Sequence, residues 1–203
     1  MPKRDVLEVL FGSNARVRLM RLFLVNPNEI FDQKTIVKRL GINSAILARE
    51  VRLLESIEYI KQSTRVSSVK FGVGKKIVKK RTRGLCLVRD FLYLNELAAF
   101  FASSAHSARE KILHNAKGIG KVSLLIIAGS LIGQDTARVD VFIVGDALKK
   151  ARIDRMLRAV EMDIGKEIVY AIMPTKEFQY RYGMYDRFIK DLFDNPHEIL
   201  VNK

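Results

Sequence analysis

The sequence predicts an α+β protein built as two successive domains. Three observations carry that reading. Apolar residues recur at helical spacing through the first quarter and then give way to a basic, strand-like pair of segments. The second part opens with a continuous apolar run, Val122 to Ala128, and then mixes short strands with helices. Charge divides at the same place: Met1 to Lys117 holds 23 basic and 10 acidic residues, and Gly118 to Lys203 holds 13 and 12. The 203 residues suffice for two small cores. The expected domains are 1–106, a connecting helix and linker at 107–120, and 121–203.

Ala15 to Val25 reads as a central helix, apolar on more than one side, with Arg16, Arg18 and Arg21 marking its wetter face. Asn26, Pro27 and Asn28 stop it. After the apolar step Ile30-Phe31, Asp32 is placed to cap a helix running through about Arg39, ended by Gly41. Asn43 or Ser44 then caps a helix over Ser44 to Ser56. Its expected buried stripe is Ile46, Leu47, Val51, Leu54 and Ile57. Ser44, Ala45, Ala48, Arg49 and Arg52 fall largely on the other side.

Three strand-like pieces follow, Tyr59 to Lys61, Val66 to Phe71 and Ile77 to Val88. The densest basic cluster of the chain is Lys75, Lys76, Lys79, Lys80, Arg81 and Arg83, with Gly72, Gly74 and Gly84 around it and no acid between Glu58 and Asp90. It reads as a charged hairpin tip or loop. Such a loop suits phosphate contacts, which need positive charge more than exact geometry. Phe91 to Ser103 and Ala108 to Ala116 are helix candidates, the first strongly apolar.

Two short helices joined by a tight turn and followed by a basic hairpin resemble the winged-helix superfamily, from about Ala15 to Arg89. The segment Phe31 to Ile60, with Arg49-Glu50-Val51 and Leu54-Glu55, resembles the helix-turn-helix of winged-helix transcription regulators. The resemblance implies a duplex-DNA partner. Ser44, Ala45, Ala48, Arg49 and Arg52 would enter the major groove, where the arginines reach base edges or phosphates. The basic hairpin, longer than usual for such a wing, would meet phosphates or the minor groove. Glu50 is often structural in such regulators, and here it could equally pair with a neighbouring cation. The Phe91 helix is either a dimer contact or packed on its own domain. A homodimer is the expected assembly, because two-fold DNA sites favour one.

In the second part the expected order is strand Val122 to Ala128, turn Gly129-Ser130, strand Val139 to Val144, helix Lys149 to Ile164 and strand Ile168 to Met173. Helical pieces follow at Glu177 to Tyr182 and Tyr185 to Phe193, with a final strand at Glu198 to Val201. Gly129-Ser130, Asp140 to Gly145, Gly165 to Ile168, Glu177-Phe178, Asp186 to Phe188 and Pro196 make this region similar to the minimal nucleotidyltransferase domain of the DNA polymerase β-like superfamily. That implies a small α/β domain with a mixed sheet. Active members hold triphosphate at the Gly-Ser turn and bind Mg²⁺ through an Asp-x-Asp pair and a third carboxylate. In this chain Asp140 matches the second acid of the pair, Arg138 stands at the first, and the third falls near Val169. A guanidinium there opposes divalent cations. The resemblance therefore implies a silent domain, with no catalytic residue, no metal and no cofactor. Gly129, Ser130, Arg138 and Asp140 form a degenerate nucleotide site, whose turn amides and Arg138 remain candidates for a nucleotide or anion ligand.

The expected function is that of a DNA-binding transcription regulator. The alternatives are an active nucleotidyltransferase targeted by its winged helix, and a protein-binding module of a two-gene regulatory or toxin–antitoxin pair. A single cysteine, Cys86, excludes a disulfide within the chain and reads as an inert buried thiol. No apolar run is long enough to span a bilayer and none resembles a signal peptide, so a cytoplasmic protein without a membrane partner is expected. The histidines His106, His114 and His197 lack metal-ligand spacing, and Tyr180, Tyr182 and Tyr185 read as base-stacking residues or as a packed helix face.

Overall fold

The computed structural model describes residues 6–71, 76–102, 106–134 and 137–203, and for 65–71, 76–81, 102 and 106–107 it describes the backbone alone. The fold is mixed α+β with two small sheets, one of them mixed. The chain divides into two compact units: residues 1–98 with 162–166, and residues 99–161 with 167–203.

The first described element of the first unit is a short helix α1 (Val6–Phe11), which the sequence pattern did not announce. Helix α2 (Asn14–Val25) buries Val17, Leu19, Met20, Leu22 and Phe23. Ser13 caps it by accepting from Arg16 N–H at 3.3 Å. Asp32 caps α3 (Gln33–Leu40), accepting from Thr35 N–H and Thr35 Oγ1, both at 2.9 Å. These two donors hold its carboxyl below the usual value of 3.8. Asn43, rather than Ser44, caps α4 (Ser44–Ser56), accepting from Ile46 N–H at 2.8 Å. The Ser44 hydroxyl is thereby left in solvent.

The three strand pieces expected from the sequence are two. Strand β1 (Ile60–Phe71) runs unbroken through Gln62 to Arg65, where polar residues hide the strand signal, and pairs antiparallel with β2 (Lys76–Leu87) over twelve successive partners. Phe31 bridges to Leu85 at the base of this hairpin, with both backbone bonds made, at 3.0 and 2.9 Å. Gly84 permits it: a Cβ there would lie 2.3 Å from Phe31 O. Gly84 is buried and lies in β2, within the strand-like stretch Ile77 to Val88 expected from the sequence. Tyr59 closes the core. Its hydroxyl donates to Met20 O at 2.8 Å, burial pushes its phenol far up, and the Phe91 ring meets it edge-on at 5.3 Å. Phe91 therefore precedes α5 (Leu94–Ala102) instead of beginning it. Cys86 is a free thiol, half-buried rather than buried.

The second unit contains α6 (His106–Ala116) and a sheet of order β5-β4-β3-β6. Strands β3 (Lys121–Ala128), β4 (Val141–Asp146) and β6 (His197–Asn202) pair antiparallel, and β5 (Tyr170–Met173) runs parallel to β4. The parallel pair needs a crossover, which α7 (Lys150–Ile164) provides. Alternate residues of β3 and β4 are buried on both faces, so both faces are covered. One face packs Leu124, Ile126, Phe142 and Val144 with Ile189 and Leu192. The last two come from α9 (Arg187–Asp194), which follows α8 (Thr175–Gly183). Among the described residues no helix is long and apolar enough to cross a membrane.

Candidate functional site

Helix α4 divides sharply. Leu47, Glu50, Val51 and Leu54 are buried, whereas Ser44, Ala45, Ala48, Arg49 and Arg52 are all exposed. The five residues assigned from the sequence thus share one open face. Ile46 is only half-buried and Ile57 is 49% exposed, so the buried stripe is narrower than the sequence suggests. Small side chains at three of the five positions let the helix backbone approach a partner closely. Arg49 and Arg52 supply charge farther along.

Glu50 anchors this face. Its carboxylate, 0% exposed, accepts from Ser13 Oγ at 2.9 Å and from Arg16 Nε at 2.9 Å. Arg49 Nη2 adds a third contact at 3.3 Å. Burial pushes the carboxyl up, but the Ser13 hydroxyl, the Arg16 guanidinium and Arg49 outweigh it and hold the group below its ordinary value of 4.5. Since Ser13 caps α2, one acid locks the start of α2 to the middle of α4. It also touches the exposed Arg49, so the structural and cation-pairing roles foreseen for Glu50 coincide. Arg52 Nε donates to Ala48 O at 3.2 Å.

The described part of the basic cluster lies on strand β2 of the hairpin rather than in a loop. Lys76, Lys79, Lys80, Arg81 and Arg83 are β2 residues paired with Phe71, Ser68, Ser67, Val66 and Thr64. Arg83 is exposed. Lys75, Gly72 and Gly74 lie outside the described residues.

The second candidate site is a turn. Strand β3 leads into a short 3-10 turn, Gly129–Ile132. Asp140, 8% exposed, faces it. Asp140 Oδ1 accepts from Ser130 N–H at 2.8 Å and Ser130 Oγ at 2.7 Å, and Oδ2 accepts from Val169 N–H at 2.9 Å. Gly129 has φ +55, and a Cβ on it would stand 2.4 Å from Asp140 Oδ1. Gly129, Ser130 and Asp140 therefore form one closed unit. Arg138 does not join them. Its Nη2 lies 2.7 Å from Asp191 Oδ2, beside an opening of about 220 Å³ lined also by Phe188, Leu192 and Pro196. The Ser130 amide and Arg138, both assigned from the sequence to an outside anion, are engaged by carboxylates of the chain. Among the described residues no group of three His, Cys, Asp or Glu side chains is placed to hold a metal.

The sequence reading missed Ser13, Arg16 and Asp191 as partners in these sites. Ser13 before a helical run was the one available signal. Comparison with protein-family models, curated proteins and solved structures finds no match to the chain.

Proposed function

We propose that this chain is a DNA-binding transcription regulator with a winged-helix domain, whose second domain, nucleotidyltransferase-like, is catalytically silent and serves assembly or ligand sensing. The observation that carries the reading is the exposed face of α4, with Ser44, Ala45, Ala48, Arg49 and Arg52 held by the buried Glu50. A helix with small residues at its start and arginines beyond fits the width of a major groove. The lysines and arginines of β2 supply the phosphate-binding charge that groove recognition requires. The asymmetry of charge between the two halves supports the same division of labour.

Silence of the second domain is supported by the donors around Asp140. Two Mg²⁺ ions need several free oxygens. The Asp140 carboxylate is taken up by three N–H and O–H donors, and Arg138 and Val169 stand where further acids would be needed. These residues do not fit a two-metal site. The nearby opening, about 220 Å³, is also below the roughly 300–1,000 Å³ of ordinary ligand pockets.

Selection from a random pool of duplex DNA tests the proposal. One sequence motif should be enriched, and Arg49→Ala should relax it at one position. Recovery of no motif would remove specific recognition from the account.

A further inference from the structure

Helix α8 ends in a crowd of exposed large side chains. Tyr180 is 68% exposed, Tyr182 59%, Met184 65% and Tyr185 86%. At 150–250 Å² per aromatic side chain, the three rings alone present on the order of 400 Å². That is about half of the roughly 800 Å² that each partner contributes to a stable interface. Tyr182 leans on Phe178 and Phe193, with ring centroids 5.7 and 6.0 Å apart, which gives the cluster a firm base.

Backbone geometry points the same way. Tyr185 has φ +54, a left-handed conformation that glycine adopts at lower cost. Its N–H donates to Tyr182 O at 3.2 Å and Asp186 N–H donates to Arg181 O at 3.0 Å, so the residue completes the helix end. A bulky ring kept in solvent at a position suited to glycine indicates a use for the ring.

Charge selects the occupant. Residues 174–195 contain four Lys or Arg and four Asp or Glu, a neutral face with little hold on phosphate. The first unit contains 21 basic and 10 acidic residues, so a face on it would set like charges against each other more closely than this neutral one does. Exposed Val6, Val9, Leu10, Leu92 and Tyr93 belong to that charged unit. Tyrosine and methionine are favoured at interface centres. We infer that Tyr180, Tyr182, Met184 and Tyr185 form the face through which two copies of this chain pair. The contact is isologous, each copy offering the same patch. The inference rests on the duplex-binding reading, which calls for two copies, and it names the surface that joins them.

Sedimentation of the full chain tests this, with wild type, Tyr185→Gly, and a Tyr180→Ser, Tyr185→Gly double variant. Wild type should dimerise, and Tyr185→Gly should raise the dimer dissociation constant about tenfold or more. At concentrations where both are monomeric, Tyr185→Gly should melt about 2–4 °C higher, because the backbone strain is relieved. That rise separates a lost interface from a damaged fold. A wild type that is monomeric at every concentration, or a double variant that dimerises unchanged, overturns the inference. Duplex titration of wild type keeps the two claims apart. Duplex binding with unchanged dimerisation of the variants sinks only the pairing face. Absent duplex binding with monomeric variants sinks only the regulator reading.

Discussion

Each unit buries an acid in its candidate site, and the two acids do different things. Glu50 receives its hydrogen bonds from side chains of another element, Ser13 and Arg16, and from Arg49 beside it. It therefore spends its charge on positioning an exposed surface. Asp140 receives two backbone N–H groups and the Ser130 hydroxyl. It closes a turn. Burial of a carboxylate is thus not by itself an active-site signal; where its donors come from has to be read as well. The chemistry of the residue is the same in both places, and the donors around it decide its role.

Surface charge provides the largest expected effect. Replacing Lys79, Lys80 and Arg81 together by Ala should lower affinity for any duplex about 100-fold or more near 0.1 M salt, and flatten the salt slope by roughly 2–3. Fluorescence anisotropy measures both, and unchanged affinity would release β2 from any role in binding.

Substitutions at the two acids sharpen the contrast. Glu50→Gln should cost about 2 kcal/mol of stability in denaturant unfolding and also weaken duplex binding, since α4 loses its anchor. Its effect depends on pH. The folded-state carboxyl lies below 4.5, so its contribution is complete above that pH and is lost as the pH falls through the folded value. The stability gap between wild type and Glu50→Gln should therefore narrow on acidification below about 4.5; a constant gap would contradict the role given to Glu50.

Asp140→Asn should cost about 1.5 kcal/mol, because the carboxamide nitrogen must face the N–H of Ser130 or of Val169. Duplex affinity should not change. Incubation of wild type with labelled nucleoside triphosphates and Mg²⁺ should transfer no label. Transfer that disappears in Asp140→Ala would reverse the comparison and make this turn a catalytic centre. The smallest effect is Asp32→Ala, about 1 kcal/mol from loss of the cap on α3.

Local rules made much of the fold legible. Helices α2, α3 and α4 lie within a residue of their expected ends, because capping side chains and the stops at Asn26 and Gly41 act over one turn of chain. The open face of α4 followed from helical spacing alone. Non-local events were not legible. Nothing near Gly84 in sequence announces the passage of Phe31, and nothing near Arg138 announces Asp191. The polar stretch from Gln62 to Arg65 joins β1 through pairing with Leu85, Gly84, Arg83 and Thr82, not through a pattern of its own. The left-handed backbone of Tyr185 likewise escapes notice, since tyrosine is not the residue that marks such a position.

The central claim is that the face of α4 and the basic hairpin grip duplex DNA. Its most direct test is the affinity of the whole chain for a labelled duplex over a range of salt concentrations. If about six phosphates are contacted, the logarithm of the association constant should fall with the logarithm of salt at a slope near −5. A flat dependence, or no binding at low salt, would contradict the account.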